Sequence, residues 1–455
     1  MKILIFIEGD LYYRNFIKSG AFDKIIKSHQ VSTAYVKNPE AQKYNVTSKI
    51  EREGLQSIRS FPYPVKRANL IYNFTVLNMV KLRKKCSTFM TRYKYQLSKK
   101  KRLVYNIISK QPFYWFFKLI FMKYLGIYEP IYNIINSDKP DLVIIPTSLI
   151  DSIAIDVILC SRKLRVKTMM LISGWDNISS KGTIPYMPDY LGVWGEQSKK
   201  HAVEIHDIPK ERIVTLGAAQ FQHFYKKYNF DKNELRDLNN IPKDKKLILF
   251  AGSARVFDET GILLELEDAL NNSKLDNVHI LYRPHPWRHR RQYEDSFFKY
   301  DFNHITLDVS LAEMYRKHKS DSAFKNLPST ILPDLEYYPK LYTSIDGVIC
   351  NLTTVMVEAA IFGVPVLAIA FSDGKHILTM DKLVNDAHFQ DILDKDGIIV
   401  CREQNRLIDS CGKLLELCEM QNIKDSLKES VGYILYNDEK IYGERLADFI
   451  SRTVK

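Results

Sequence analysis

Short runs of apolar residues recur along the chain, and each run ends in a polar residue or glycine before a stretch with helical periodicity. The runs are almost continuously Ile, Leu and Val, which is typical of strands that helices cover on both faces. The pattern therefore predicts an α/β protein with parallel, doubly wound sheets. The clearest predicted strands cover residues 2–7, 141–146, 167–172, 246–251, 278–282, 347–350 and 364–369.

The strand and helix pattern begins again near residue 245, which divides the chain into two halves. We predict an N-terminal Rossmann-like domain over 1–224, a polar linker over 225–245 and a C-terminal Rossmann-like domain over 246–438. A last helix over 439–455 is expected to pack back on the N-terminal domain. Ligands of open α/β sheets bind beyond the carboxyl ends of the strands, so two such domains would face each other across a cleft.

The composition narrows the classes of protein. The chain has 455 residues, of which 45% are hydrophobic and 26% charged, and these values exclude a globally disordered protein. A net charge of +13 favours anionic partners such as nucleotides, nucleic acid or an acidic membrane surface. The six cysteines form no CxxC pair, which argues against a disulfide scaffold and indicates a reducing compartment.

A basic and aromatic insert is predicted within the first half, over residues 54–128. It holds 16 Lys or Arg and 16 Phe, Tyr or Trp, but neither Asp nor Glu. Basic residues beside aromatic and aliphatic ones favour an anionic membrane interface, with contact expected over 81–128. Solvated helices with one core-facing stripe are an alternative, and so is a nucleic-acid patch, although no nucleic-acid-binding motif accompanies it.

The N-terminal apolar run is too short for a signal peptide, and no segment reads as a transmembrane helix. We therefore expect a cytoplasmic protein that is peripheral to the inner face of the cell membrane.

Two signals in the second half point to a bound phosphate or nucleotide. The sequence Arg283-Pro284-His285-Pro286-Trp287 follows a predicted strand, and its prolines fix the backbone. Arginine and histidine side chains both donate hydrogen bonds to phosphate. The alternative is a rigid turn with a structural histidine. A weaker signal is the turn after strand 246–251, where the small residues Gly252 and Ser253 would let Arg255 approach a phosphate.

A polar turn opens the predicted helix after strand 347–350. Thr353 and Thr354 stand where this helix begins, and hydroxyl and backbone N–H groups at such a position form an anion site. Glu358 lies one turn further on the same face, where a carboxylate can accept hydrogen bonds from ribose hydroxyls. An ordinary helix cap with a surface glutamate is the alternative.

These residues together resemble the second domain of GT-B glycosyltransferases. The Arg-Pro-His-Pro turn followed by a hydroxyl pair is similar to bacterial surface-glycan enzymes, namely CMP-sialic acid and CMP-Kdo transferases and CDP-glycerol glycerophosphotransferases. The resemblance implies that His285 contacts the nucleotide and that Thr353 and Thr354 contact the phosphate. Retaining GT-B enzymes often place a second glutamate eight residues before the one matching Glu358. Cys350 stands there, which favours an inverting reaction.

An inverting transfer needs a general base for the acceptor hydroxyl, and in a GT-B cleft the first domain usually supplies it. Glu8 and Asp10 follow the first strand, in a turn that resembles the acidic turn of bacterial sialyltransferases. Asp176 follows strand 167–172 and is the other main candidate. Each of these carboxylates has a turn or helix cap as its alternative interpretation. Expected acceptor-side residues are Arg14, Trp175, whose ring would stack on a sugar, Asn177 and Lys181, which would meet a phosphate.

No combination of His, Cys, Asp and Glu has the spacing of a metal site, so we expect neither a metal nor a cofactor. The favoured function is an inverting, metal-independent transfer of a sugar from a nucleotide donor, with CMP-type donors preferred, to a surface-polysaccharide or lipid-linked acceptor. The alternatives are a CDP-glycerol or CDP-ribitol phosphotransferase, a nucleotide-sugar 2-epimerase and a non-catalytic GT-B adaptor. Nucleic acid is not an expected partner.

Overall fold

The structure is a computed structural model that describes residues 1–37, 55–226, 230–285, 296–311 and 335–453. The chain forms two compact units. The first contains Met1–Gln222 and Tyr433–Lys455, and the second contains His223–Gly432.

The first unit is built on a sheet of seven parallel strands in the order β3-β2-β1-β4-β5-β6-β7. Neighbours in chain order meet in space except where the chain crosses from β3 back to β4 beside β1. The strands are β1 Lys2–Ile7, β2 Gln30–Val36, β3 Leu55–Phe61, β4 Leu142–Thr147, β5 Lys167–Ile172, β6 Tyr190–Val193 and β7 Ile213–Thr215.

Both faces of this sheet are covered, which explains the continuous apolar runs of its central strands. Side chains alternate between the faces of a strand, so Leu4 and Phe6 of β1 enter one core cluster, while Ile3 and Ile5 enter the other. The helices of this unit include α1 Asp10–Tyr12, α2 Asp23–Ser28, α3 Val65–Leu82, α4 Ser87–Tyr95, α5 Lys99–Ile108, α6 Phe113–Leu125, α7 Glu129–Asp138, α8 Ile153–Lys163 and α9 Glu196–His206, together with π-helical segments at Tyr13–Lys18 and Asn177–Lys181.

The second unit is built on six parallel strands in the order β10-β9-β8-β11-β12-β13. Its strands are β8 Lys246–Ala251, β9 Val278–Arg283, β10 Ile305–Leu307, β11 Gly347–Asn351, β12 Val366–Ile369 and β13 Ile398–Cys401. Its described helices are α10 Lys232–Leu238, α11 Glu259–Asn271, α12 Tyr337–Ser344, α13 Val355–Ile361, α14 Met380–Leu383, α15 Gln390–Leu393, α16 Leu407–Leu417 and α17 Gln421–Ser430. The two parallel, helix-covered sheets confirm the predicted fold class.

Short 3-10 turns occur at Lys210–Arg212, Ala219–Phe221, Ser296–Lys299, Ala387–Phe389, Gln404–Arg406 and Val431–Tyr433. The last helix, α18 Tyr442–Thr453, belongs to the first unit. Its Leu446 and Ile450 are fully buried in the same core cluster as Ile3 and Ile5 of β1. The hydrophobic face of α18 therefore covers one side of the first sheet.

Two segments differ from their sequence-based description. Residues 55–61 at the start of the predicted helical insert form β3, an edge strand in which exposure alternates along the chain. The predicted linker contains α10, in which Leu235 and Arg236 are buried, so this stretch is packed against the second unit. An alternating or strongly polar sequence conceals such elements because only one face of each is apolar.

The insert is fastened to the first sheet by a buried ion pair. The Arg67 guanidinium on α3 donates from Nε and Nη2 to the two carboxylate oxygens of Asp156 on α8, each at 2.7 Å. The Tyr63 hydroxyl donates to the same carboxylate at 2.6 Å. A two-pronged arginine–carboxylate contact fixes orientation as well as position. Within the described parts of the chain, no helix combines the length and the hydropathy needed to cross a membrane.

Candidate functional site

Glu8 lies at the carboxyl end of β1, where its carboxylate meets the start of α8. It accepts hydrogen bonds from the backbone N–H groups of Ser152 at 3.3 Å and Ile153 at 3.4 Å. Burial and the nearby Asp151 carboxylate raise the pKa of Glu8 well above its usual value, and the two N–H donors oppose this only in part. Glu8 is thus a carboxyl group that holds its proton more firmly than an exposed glutamate.

Asp151, in the loop after β4, completes a polar cluster beside Glu8. Its Oδ2 atom accepts hydrogen bonds from the Ser148 backbone N–H at 2.8 Å and the Ser148 hydroxyl at 3.0 Å. The buried Tyr12 hydroxyl also donates to this carboxylate. Burial and Asp151 together raise the pKa of Tyr12 well above its usual value. Sequence reasoning missed Tyr12, because nothing in the pattern distinguishes it from a core aromatic.

The other candidates after β1 are Asp10 and Arg14. Asp10 is the first residue of α1, and its side chain lies outside the described part of the structure. Arg14 is half-exposed within the π-helical segment Tyr13–Lys18, at the same end of the sheet as Glu8.

Asp176 stands at the carboxyl end of β5, directly before the π-helical segment Asn177–Lys181. Its side chain is 18% exposed, and its Oδ2 atom lies 3.3 Å from the Lys181 ammonium. The Ser180 hydroxyl donates to Oδ2 at 2.7 Å, and the Asn177 amide donates to Oδ1 at 2.9 Å. Three donors from the following turn thus hold the Asp176 carboxylate in one orientation, and a carboxylate so placed can accept a proton.

Two residues expected on the acceptor side are buried within this loop. Trp175 is 1% exposed, so its ring is not available to stack on a sugar, contrary to the expectation from sequence. Asn177 is buried as well, and its amide oxygen accepts a hydrogen bond from the Ser173 hydroxyl at 3.1 Å. Asn177 therefore positions the Asp176 carboxylate and does not face a ligand. Lys181 remains partly exposed.

Side chains from the insert and from α9 form hydrogen bonds with the backbone of the Asp176 loop. Arg92 of α4 donates to the backbone carbonyl of Lys181 at 3.0 Å, and the Cys86 thiol donates to that of Ser179 at 3.1 Å. His206 accepts from the Ile184 N–H through Nδ1, so its Nε2–H donates to the Ile178 carbonyl at 2.8 Å. Burial lowers the pKa of His206 to about 4, which keeps this contact neutral.

A buried carboxylate organises the turn after β8 in the second unit. Glu259, at the start of α11, is fully buried and accepts from the Ser253 backbone N–H at 3.0 Å and the Tyr282 hydroxyl at 2.9 Å. Ser253 is buried too, and its hydroxyl accepts from the Arg255 backbone N–H at 3.2 Å. The Glu259 carboxylate thus fixes the shape of the turn that follows Gly252.

The turns after β8 and β9 lie against each other. The Gly252 N–H donates to the Arg283 carbonyl at 2.9 Å, and a Cβ at Gly252 would stand 3.0 Å from the His285 backbone nitrogen. His285 is half-exposed at the end of this second turn. Pro286 and Trp287, the remainder of the motif, lie outside the described residues.

Arg283 does not present its guanidinium to a ligand. Its side chain is 9% exposed, and Nη1 pairs at 2.8 Å with the completely buried Asp308 after β10. The guanidinium also lies over the rings of Tyr337 and Tyr338, each centroid at 5.0 Å. The expected phosphate-binding role of Arg283 is therefore replaced by a buried ion pair that ties the ends of β9 and β10 together.

Thr353, Thr354 and Glu358 lie at the carboxyl end of β11, and each is half-exposed. The Thr353 hydroxyl accepts from the Val355 N–H at 3.3 Å, so part of the donor capacity at the start of α13 is used within the turn. The Glu358 carboxylate accepts from the buried Tyr342 hydroxyl at 2.8 Å, which orients it.

The loop after β12 adds polar groups that sequence reasoning missed. The His376 ring contacts the Asp373 carboxylate through Nδ1 at 2.6 Å, and Asp373 also accepts from the Asp258 backbone N–H at 3.0 Å. Burial raises the pKa of Asp373, but the hydrogen bonds it accepts outweigh this, so its net pKa lies below the usual value. Since β11 lies between β8 and β12, this bridge spans the carboxyl end of β11, where Thr353 and Thr354 stand.

In the described parts of the chain, no group of three or more His, Cys, Asp or Glu side chains is arranged to hold a metal ion.

Residues 173–315 match a protein-family model described as CDP-Glycerol:Poly(glycerophosphate) glycerophosphotransferase. The matched range opens at the loop that carries Asp176 and extends past the Gly252 and His285 turns. None of the curated proteins matches the chain at the significance threshold.

Several solved structures share the fold of the whole chain. A putative UDP-N-acetylglucosamine 2-epimerase from Listeria monocytogenes has a TM-score of 0.56 at 13% identity, covering 100% of this chain and 97% of its own. S. aureus MnaA with UDP has a TM-score of 0.53 at 10% identity, covering 99% of this chain and 96% of its own. The wall teichoic acid polymerase TagF has a TM-score of 0.50 at 13% identity, covering 99% of this chain and 89% of its own.

At these identities the structural likeness concerns the fold, and it confirms the resemblance to GT-B proteins. The match to a glycerophosphotransferase family confirms, on this fold, the prediction of an enzyme of the glycosyltransferase type.

Proposed function

We propose that the protein transfers a glycerol-phosphate-like group from a CDP-activated donor to a hydroxyl of a cell-envelope polymer or lipid-linked acceptor. The observation that carries this proposal is the family match over 173–315, which includes the Asp176 loop of the first unit and the His285 turn of the second. TagF, a wall teichoic acid polymerase, has a similar fold. The reaction would take place at the inner face of the cell membrane.

The proposed reaction is a displacement at phosphorus. The acceptor hydroxyl oxygen attacks the β-phosphorus of the CDP donor, the bond from that phosphorus to the bridging oxygen breaks, and CMP leaves. The hydroxyl proton passes to a carboxylate, which we assign to Asp176. Its orientation by Ser180 and Lys181 and its place within the matched range support this choice, whereas the Glu8 carboxylate already accepts hydrogen bonds from two backbone N–H groups at the start of α8. Asp10 remains the alternative base.

The donor is assigned to the carboxyl ends of β8, β9 and β11. His285 is proposed to donate to a phosphate oxygen, and the hydroxyls of Thr353 and Thr354 to do the same from β11. Glu358, oriented by Tyr342, would accept hydrogen bonds from the ribose hydroxyls. Gly252, Ser253 and Arg255 are assigned to the same donor site. The absence of a Cβ at Gly252 leaves space there for the backbone of the His285 turn. We propose that these groups, and not a metal or cofactor, stabilise the leaving CMP.

A second candidate function is inverting transfer of a sugar from a CMP-sugar donor. The acidic turn with Glu8 and Asp10 favours it, because this turn resembles that of bacterial sialyltransferases and lies outside the family-matched range. Here the acceptor oxygen would attack the anomeric carbon, and CMP would again be released.

The test is CMP release by the purified protein, mixed with cell-envelope membranes as the acceptor source and with either CDP-glycerol or a CMP-sugar. We expect release from CDP-glycerol that requires membranes and is lost in Asp176→Asn. Release from the CMP-sugar alone would replace the first proposal by the second. Release from neither donor, by protein shown to be folded, would overturn both.

A further inference from the structure

Two consecutive helices of the insert expose an unusual number of large apolar side chains. On α6, Trp115 is 61% exposed, Phe116 65% and Tyr124 67%. Scattered single apolar residues are normal on a protein surface, but a contiguous group marks a binding surface. We call this group the insert surface; it consists of Leu103, Val104, Ile107, Phe113, Trp115, Phe116, Leu119, Ile120 and Tyr124.

The side chains of the insert surface are not those that pack the hydrophobic core of the insert. The opposite side of α6 is already packed, since Tyr114, Phe121 and Leu125 are buried in a separate cluster. Within that cluster the Phe121 ring stacks on Phe74 of α3, with centroids 4.3 Å apart. The exposed apolar side chains are therefore additional to those that hold the insert together.

The charged side chains of the described part of the insert are all positive. Lys99, Lys100 and Lys101 are exposed in the first turn of α5, and Lys123 is exposed on α6. The described part of the insert contains no Asp or Glu before Glu129. An apolar, aromatic face beside several lysines is complementary to a bilayer with anionic headgroups, because aromatic rings are favoured at the interface and lysines pair with lipid phosphates.

We propose that the insert surface docks the protein on an anionic phospholipid bilayer. The aromatic side chains of α6 and the aliphatic ones of α5 enter the boundary between headgroups and acyl chains, while the lysines contact lipid phosphates. The proposal rests on the proposed function only in supposing that the acceptor is at the membrane, and docking itself needs neither donor nor acceptor.

Docking would have a consequence for the acceptor side of the enzyme. The helix α4, which precedes α5, contacts the Asp176 loop through Arg92, and Cys86 just before it contacts the same loop. The insert that carries the lipid-facing surface thus also supports the loop assigned to proton removal. A lipid-linked acceptor would be presented to that loop from the bilayer.

The first experiment is co-sedimentation of the full chain with vesicles, at low salt and without nucleotide. We expect binding to vesicles of phosphatidylglycerol and phosphatidylcholine, and much weaker binding to phosphatidylcholine alone. The double variant Trp115→Ser/Phe116→Ser should lose affinity by about tenfold or more. The matched control is Leu238→Ser, which removes a 54% exposed leucine from the second unit and should bind as the parent does. Thermal unfolding checks that each variant is folded.

The lysines are tested separately. Replacing Lys99, Lys100 and Lys101 together by Gln should lower affinity for anionic vesicles by about tenfold or more at low salt, with a smaller effect in high salt. Equal binding by this variant and the parent would contradict the assigned role of the charges.

Trp115 provides a direct readout of insertion. Lipids brominated on the acyl chains should quench its fluorescence, whereas Trp175 and Trp194 are buried and should be unaffected. The Trp115→Phe variant should keep vesicle binding and lose this quenching. Two results would overturn the proposal: binding unchanged in Trp115→Ser/Phe116→Ser, or no vesicle binding together with a lipid-free dimer that this double variant dissociates. Loss of CMP release with vesicle binding intact would instead count against the proposed function.

Discussion

Gly252 leaves space for the backbone of His285 where β8 and β9 end. A Cβ at Gly252 would stand 3.0 Å from the His285 nitrogen, 3.1 Å from the Pro284 Cα and 2.6 Å from the Glu259 carboxylate. The Glu259 side chain is fully buried and the other two atoms are backbone, so none of the three moves easily. A side chain at Gly252 would therefore collide with the turn that carries His285.

Gly252→Ala should displace the His285 turn and weaken donor binding with the fold retained. We expect the dissociation constant for CDP-glycerol to rise about tenfold, which corresponds to about 1.4 kcal/mol. Isothermal titration calorimetry measures this. The matched control is Gly412→Ala in α16, where an added Cβ meets nothing within 4 Å, and this variant should bind as the parent does. An unchanged dissociation constant for CDP-glycerol in Gly252→Ala would contradict the proposal that His285 contacts the donor.

Asp176→Asn removes the proposed base while keeping a side chain of the same shape. We expect the rate of CMP release to fall by about 10²- to 10⁴-fold, because a general base contributes this much, with donor affinity little changed. Glu8→Gln is the comparison, and it should lose less activity because the Glu8 carboxylate is engaged by the backbone N–H groups of Ser152 and Ile153. A larger loss in Glu8→Gln or Asp10→Asn than in Asp176→Asn would move the base to the turn after β1.

Arg283→Ala should act through stability and not through ligand contacts. The substitution leaves the Asp308 carboxylate buried without its ion-pair partner, which typically costs about 3–5 kcal/mol in the free energy of unfolding. Urea denaturation monitored by circular dichroism provides the measurement. A variant of parental stability that loses only donor affinity would restore the phosphate-binding role expected from the sequence.

His206 should make the first unit sensitive to acid. Its folded-state pKa of about 4 lies below the ordinary histidine value of 6.5, so the unfolded chain takes up the proton first as the pH falls. Stability should be unaffected above pH 6.5 and decline between pH 6.5 and 4, by roughly 3 kcal/mol at the lower limit. Urea denaturation across this range tests it. His206→Gln, which cannot titrate, should show a shallower decline, and parallel profiles for the two proteins would refute the assignment.

The central strands were predictable because burial on both faces leaves a simple apolar run. β1, β5 and β8 have the bounds predicted from the sequence. The strands β3, β7, β10 and β13 were missed because they lie at sheet edges, where burial alternates or the strand is short. The inner strands β2 and β6 were missed as well, since β2 mixes polar and apolar residues and β6 has four residues.

The sequence identified which loops carry polar residues, but not which of their side chains face outward. Trp175 follows β5 in the expected loop, yet its ring packs in the core. Arg283 belongs to a strand predicted to end one residue earlier, and its partner Asp308 follows another strand, β10, so the ion pair leaves no local signal. Contacts such as Glu259 with Tyr282 depend in the same way on residues distant in the sequence.

Calorimetric titration with CDP-glycerol, CMP and UDP shows whether the second unit holds a cytidine-nucleotide donor. We expect CDP-glycerol and CMP to bind more tightly than UDP, and His285→Ala to lose this binding while its thermal unfolding stays that of the parent. Equal or tighter binding of UDP, or no binding of any nucleotide by the folded protein, would contradict the account; the second result would favour a non-catalytic adaptor.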